Sequence, residues 1–171
     1  LDVSLDDGLA ALGAFEPLAG RGAETRVRVA GGDVTLIDES YNANPISMAS
    51  AIATLGARRG AGRRIVALTD MLELGPEAQA FHAGLAASLE AASIDLVFCA
   101  GPLMKSLWDA LPPTRRGGHA GTAPDPPPRP AEVVKAGALV MVKGSNGSKA
   151  GLVAQALIAH GAAQDASGEA R

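Results

Sequence analysis

The chain has 171 residues, a formal net charge of −3 and 47% hydrophobic residues, enough for one domain with a real core. Only five residues are aromatic (three Phe, one Trp, one Tyr), so the core has to be built from Ala, Val, Leu and Ile, which favours helices packed closely on a sheet. The acidic balance argues against a nucleic-acid surface, the lone Cys99 excludes a disulfide framework, and no apolar run reaches the roughly 18 residues of a membrane-spanning helix.

Taken in order, Ser4 to Phe15 reads as a short helix capped by Ser4, with Asp6 and Asp7 in its first turn and Leu5, Leu9 and Leu12 on one face. Gly20-Arg21-Gly22 reads as a linker. A helix followed by a linker looks like part of something larger, so residues 1–22 are assigned to the end of a preceding domain and 23–160 to the domain proper. Thr25 to Val29 and Asp33 to Ile37 are strand-like around Gly31-Gly32, a hairpin signal. Asn44 and Pro45 then suit the N-cap and first residue of a helix running to about Arg59, with Met48, Ile52 and Leu55 at helical spacing. Arg58, Arg59, Arg63 and Arg64 flank its end, where solvated cations complement the helix dipole.

Ile65 to Leu68 is an unalternating apolar run, as expected of a buried parallel strand. Pro76 opens a helix with Phe81, Leu85 and Leu89 on one face, and Ile94 to Cys99 is the next strand, Cys99 being a small buried side chain within it. Pro102 opens a helix carrying Leu103, Leu107 and Leu111. Pro112 to Pro130 is a proline-rich, irregular excursion, with room for a short strand near His119. A short helix over Ala131 to Lys135 leads to a strand over Ala138 to Val142. The last helix is expected from Ser148 to His160, with Leu152, Ala156 and Ala159 inward, His160 capping its end and residues 161–171 a flexible tail. The alternation implies an α/β, Rossmann-like domain: a mostly parallel sheet, helices on both faces, and an N-terminal antiparallel hairpin strand.

In such a sheet, binding residues sit where strands end and helices begin. At the first junction Asp38 and Glu39 can accept hydrogen bonds from ribose hydroxyls, Tyr41 can stack on an adenine, and Asn42 can reach a substrate amide. At the second, Asp70 and Glu73, three apart before a helix start, are on their own residues most simply partners of the helix dipole. His82 is expected to be structural, tying this loop to the following helix. The last junction, Lys143 to Lys149, lacks the spacing of a phosphate-binding loop. Its backbone amides can hold an anion at a helix N-terminus, with Lys143 supplying charge. His119 and His160 show no metal-ligand spacing, and no metal site is expected in this chain.

Three stretches, DESYNANPISM from Asp38, LTDMLELGPEAQAFH from Leu68 and VKGSNGSK from Val142, occur in an order that resembles the C-terminal domain of the Mur ligases. The match is to the branch that joins D-alanyl-D-alanine to a UDP-N-acetylmuramoyl-tripeptide in peptidoglycan precursor synthesis. The resemblance implies an ATP-dependent amide ligase of the cytoplasm. ATP and Mg²⁺ would be bound mainly by a central ATPase domain ending in residues 1–22, and the UDP-linked tripeptide by an N-terminal domain. It implies a nucleotide role for Asp38, Glu39, Tyr41 and Asn42, with Glu39 on the ribose. It places Asn44, Ser47, Asp70, Met71, Glu73, Gly144, Ser145 and Asn146 against the amine substrate, with Asp70, Glu73 and Lys143 nearest the chemistry. The family more often has Asp at position 39, Gly at 69 and Met-Glu at 150–151, where this chain has Glu39, Thr69, Ala150 and Gly151. The chain alone, lacking a P-loop, is expected to turn over no ATP, and one core implies a monomer. The competing expectations are a non-catalytic Rossmann-like binding module for a nucleotide or small acid, and the same domain of a sister ligase with another amine.

Overall fold

A computed structural model of the protein describes residues 3–14, 17–59, 62–123 and 133–168. The elements in order are α1 (Leu5–Gly13), β1 (Ala23–Val29), β2 (Gly32–Glu39), α2 (Pro45–Ala57), β3 (Arg64–Thr69), α3 (Ala78–Ala91), β4 (Leu96–Ala100), α4 (Met104–Ala110), β5 (Arg116–Ala120), β6 (Leu139–Lys143) and α5 (Ala150–Gly168). Single 3₁₀ turns cover Gly75–Glu77, Pro113–Arg115 and Asn146–Ser148.

The strands form one six-stranded sheet in the order β1-β2-β6-β3-β4-β5. β1 is antiparallel to β2 and every other pairing is parallel, as the alternation of strand and helix requires. Strand residues alternate between two cores. Ile37, Val66, Leu68, Val97, Cys99 and Met141 face α2, α3 and α4, through Met48, Ile52, Leu55, Leu85, Leu89, Met104 and Leu107. Leu36, Ile65, Ala67, Phe98, Val140 and Val142 face α5, through Ala150, Val153 and Ala154. The doubly covered sheet is why its central strands read as continuous apolar runs.

Several local expectations shift. The hairpin turn is Ala30-Gly31, because Gly32 already pairs with Val29. In α3 the buried face is His82, Leu85 and Leu89, with Phe81 exposed. In α4 Met104, not Leu103, faces inward with Leu107. Within the excursion after α4, a 3₁₀ turn and β5 give residues 113–120 regular structure, β5 being the short strand near His119 for which the sequence leaves room. Residues 124–132, which hold most of the remaining prolines and the start of the helix expected over 131–135, lie outside the described residues. In α5 the inward face is Ala150, Val153 and Ala154, while Leu152, Ala156 and Ala159 are exposed. That helix continues to Gly168, so His160 lies within it and caps nothing. Alanine-rich helices carry little periodic contrast, so the sequence does not fix their phase.

α1 is capped by Ser4 as expected, its hydroxyl oxygen accepting the Asp7 N–H at 3.1 Å. None of its residues is buried, and Leu5, Leu9 and Leu12 are 78%, 56% and 73% exposed. Arg58 is not a solvated dipole partner: its guanidinium forms a bidentate pair with Glu24 on β1, and its carbonyl accepts from Arg64 Nη2 at 2.8 Å.

Candidate functional site

The register sets the carboxyl ends of four strands in one row. Glu39 of β2 lies beside Lys143 of β6, which lies beside Leu68 of β3, and Thr69 lies beside Ala100 of β4. The chain leaving β3 turns towards α3 on one face, and the chain leaving β6 turns to α5 on the other. That divergence opens a crevice, the usual ligand position in an open α/β sheet. All three stretches singled out in the sequence meet here.

The loop after β2 is built mostly from its own side chains. Asp38 Oδ1 accepts from the Ser40 N–H at 3.0 Å and Asn42 Oδ1 from the Ala43 N–H at 2.8 Å. Asn44 and Ser47 form a reciprocal capping box: Ser47 N–H donates to Asn44 Oδ1 at 2.8 Å, and Asn44 N–H to Ser47 Oγ at 3.0 Å. Such a cap contributes about 1 kcal/mol to the helix and orients α2. Tyr41 is half exposed, and the Arg21 guanidinium lies 3.9 Å from its ring centroid. The linker is fastened to this loop, Tyr41 N–H donating to Gly20 O at 3.0 Å and Gly22 N–H to Asp38 O at 2.8 Å. Glu39 reaches across to Lys143, Nζ to Oε2 3.4 Å, and Lys143 Nζ also donates to Asn42 O at 3.0 Å.

The loop after β3 has a different construction from the one its sequence suggests. Asp70 is buried, and its carboxylate caps α4: Oδ1 accepts from Met104 N–H at 2.9 Å and Oδ2 from Leu103 N–H at 3.3 Å. Gly101 has a φ of +124°, and a Cβ there would come within 2.3 Å of Asp70 Oδ1, so only glycine leaves room for this carboxylate. Met71 is fully buried in the core, and no substrate reaches its side chain. Its N–H donates to His82 Nε2 at 2.9 Å while His82 Nδ1 lies 2.6 Å from Ala78 O. The Nδ1–H tautomer satisfies both bonds, and His82 is the structural tie that the sequence suggested. Glu73, on the same loop, is exposed and in a left-handed conformation, φ 62°.

The loop after β6 is held by Ser145. Its N–H donates to Asp70 O at 3.2 Å, and its Oγ accepts from Leu72 N–H at 3.0 Å. Gly144 is packed against Thr69: a Cβ at Gly144 would stand 1.7 Å from Thr69 Oγ1. That hydroxyl lies 2.6 Å from Ser148 Oγ, so Thr69 bridges the two loops. Asn146 and Lys149 are exposed, Lys149 in a left-handed conformation at the entry to α5.

Two clefts flank the row of strand ends. One, of about 320 Å³, runs between α2 and the β1–β2 hairpin and is lined by Glu39, Lys143, Ser47, Ser50, Thr54 and Arg58 among others. The other, of about 440 Å³, lies over the ends of β3, β4 and β5 and is lined by Asp70, Leu72, Gly101, Thr122, Ser148 and Lys149 among others. Glu39, Ser47 and Lys143 are thus brought together at the first cleft and Asp70 borders the second, whereas Met71 and Ser145 serve as structure. Arg58, Ser148 and Lys149 line the clefts without having been singled out for a site. Ser148 and Lys149 follow β6 by five and six residues, and Arg58 caps the far end of α2. Burial and the nearby charge of Asp70 push the Cys99 thiol up to about 12, which removes it as a nucleophile. Among the described residues no group of three or more His, Cys, Asp or Glu could hold a metal ion, and no helix is long and apolar enough to cross a membrane.

Comparison with known proteins agrees with the fold. The family profile described as "Mur ligase, glutamate ligase domain" matches residues 25–146. The UDP-N-acetylmuramoyl-tripeptide–D-alanyl-D-alanine ligase of Mycobacterium tuberculosis (strain H37Rv) is 32% identical over 177 aligned positions, covering 91% of this chain and 34% of that protein. The Bacillus subtilis (strain 168) ligase of the same name is 39% identical over 70 residues, 41% of this chain and 15% of that protein. Among solved structures, a MurF of Acinetobacter baumannii superposes with a TM-score of 0.72 at 21% identity, over 91% of this chain and 34% of that one. MurF of Thermotoga maritima in complex with ADP superposes with a TM-score of 0.65 at 22% identity, over 90% of this chain and 33% of that one. The structural likeness is of fold. The chain spans about a third of the length of the relatives it matches along most of its course.

Proposed function

We propose, for a chain that belongs to the Mur ligase family through its glutamate ligase domain, the role of the domain that presents the amine and closes over ATP in a cytoplasmic amide ligase. The ligase it serves adds D-alanyl-D-alanine to UDP-N-acetylmuramoyl-tripeptide. The observation that carries this reading is the meeting of the three motif loops at one crevice between two clefts. The names of the relatives supply the substrates. Residues 1–22 form the end of a preceding ATPase domain in this reading, which gives the solvent-facing leucines of α1 a partner.

In the reaction the γ-phosphoryl group of ATP passes to the tripeptide carboxylate, giving ADP and an acyl phosphate. The dipeptide amine then attacks the acyl carbon and phosphate departs as the amide forms. Glu39, 32% exposed at its side chain, faces the ribose hydroxyls, and Tyr41 offers its ring to the base. The 440 Å³ cleft receives the dipeptide, with the exposed Lys149 nearest its carboxylate. Glu73, exposed on the loop after β3, takes the ammonium proton before attack. Asp70 and Lys143 act through the loops they hold. Mg²⁺ would supply charge compensation on the phosphates; among the described residues no group of three or more His, Cys, Asp or Glu could hold it, and in this reading it is bound mainly by the preceding domain. The protein acts as a monomer in this reading.

The test is ADP release by the complete ligase containing this chain, given ATP, Mg²⁺ and UDP-muramyl tripeptide. Dependence on D-alanyl-D-alanine, with L-alanine and single D-alanine inert, supports the reading. Release that responds to another amine assigns the chain to a sister ligase, and no amine-dependent release overturns the reading.

A further inference from the structure

We propose that Lys143 is a positioning residue for the nucleotide: its ammonium fixes the Glu39 carboxylate and the Asn42 carbonyl in the arrangement that receives the ribose. The inference rests on the reading in which Glu39 meets the ribose hydroxyls. Lys143 is the last residue of the central strand β6 and pairs in register with Glu39. Its side chain is 4% exposed against 32% for Glu39, so the cation lies beneath the loop and the carboxylate above it. Nζ spans two points of that loop, Glu39 Oε2 at 3.4 Å and Asn42 O at 3.0 Å. Gly22 of the linker closes the other side, a Cβ there coming within 3.3 Å of Glu39 Oε1. The carboxylate is therefore clamped between a buried cation and the linker backbone.

Two consequences follow from charge and burial. Nζ is already engaged by Glu39 and the Asn42 carbonyl, so a substrate carboxylate would have to compete with Glu39 for it, and Lys143 is not read as the anchor of the amine substrate. A lone carboxylate next to an incoming polyphosphate would repel it, whereas the clamped pair adds no net charge and still offers an acceptor to a hydroxyl. Removing the ammonium leaves Glu39 free to rotate away and leaves the Asn42 carbonyl without its donor.

The experiment uses the complete ligase with Lys143→Met, which keeps an unbranched apolar stem without the charge, Lys143→Arg, which keeps charge, and Glu39→Gln. ATP affinity is measured by calorimetry, and KM for ATP and for D-alanyl-D-alanine by ADP release. Lys143→Met is expected to weaken ATP affinity by about tenfold and leave the dipeptide KM within about twofold, with Lys143→Arg recovering most of the loss. Glu39→Gln should weaken ATP binding similarly, and Lys143→Met should add little on top of it. A raised dipeptide KM with unchanged ATP affinity would overturn the inference and return Lys143 to the substrate. Equal losses in the Met and Arg variants would reduce the residue to a fold element and overturn it too. If the Met variant does not fold, the Arg and Gln variants decide: an Arg variant that has lost ATP affinity, or a Gln variant that keeps it, overturns the inference. Wild-type enzyme that binds ATP but shows no dipeptide-dependent release sinks the ligase reading and leaves this one to the affinity data. Wild-type enzyme that binds no ATP sinks both.

Discussion

Replacing Asp70 by alanine separates a helix cap from a substrate contact. The carboxylate accepts two backbone N–H bonds at the start of α4, at 2.9 Å from Met104 and 3.3 Å from Leu103, in a buried setting. A hydrogen bond to a charged acceptor is worth about 1.5–3 kcal/mol, the longer one less, and relief of the buried charge offsets part of the loss. A net destabilisation of about 2–3 kcal/mol is expected for Asp70→Ala, and about half of that for Asp70→Asn, which keeps one acceptor for Met104. In a chain of this size that lowers Tm by about 5–10 °C for the alanine variant. Circular dichroism melts measure it, and hydrogen exchange locates it, since the Met104 amide should lose protection first. Melting within about 1 °C of wild type, together with a raised dipeptide KM, would refute the capping argument and restore Asp70 to the substrate.

Gly144→Ala should cost about 2–3 kcal/mol, because the new Cβ stands 1.7 Å from Thr69 Oγ1. Thr69→Gly in the same chain should recover part of that loss, and a double-mutant cycle with no coupling would refute the interlock. Cys99 should resist thiol reagents in the folded protein and react on unfolding, followed by absorbance with a disulfide reagent. Its folded-state value of about 12 lies above its ordinary value of 9.0, so the stability tied to the neutral thiol is present below pH 9 and lost progressively between pH 9 and 12. Asp70→Asn should bring the thiol's titration down. His82→Leu leaves the Met71 N–H and the Ala78 carbonyl without their imidazole partner, and should lower unfolding free energy in urea by about 1–3 kcal/mol.

The elements legible in the sequence were those marked by strong local signals. Asn44-Pro45 announced α2, and the unbroken apolar runs announced β3, β4 and β6, because a strand buried on both faces leaves no room for polar alternation. Helix phases were legible where leucines and methionines marked them, as in α2, and illegible in α5, where alanines occupy every face. The crevice itself was legible from the strand-to-helix junctions. What each polar residue does there was not. Asp70 and Ser145 look like ligands in a sequence because nothing local shows that their partners are Met104, at the start of α4, and Leu72, on the loop after β3. Lys143 looked like a free charge for the same reason: Glu39 is 104 residues away along the chain.

That separation bears on how the protein reaches its native state. β2 and β3 do not touch; each pairs with β6, which lies between them and is the last strand to be reached along the chain. Until β6 inserts, the sheet is two unjoined pieces with open inner edges, one a hairpin and the other β3, β4 and β5. Closing the gap carries the loop entropy of about a hundred residues before any contact repays it. Folding should therefore be slow for a domain of this size, and nascent chains ending before residue 139 should expose two unpaired strand edges to chaperones or aggregation. The strand that delivers Lys143 to Glu39 is also the one that turns two halves into a domain.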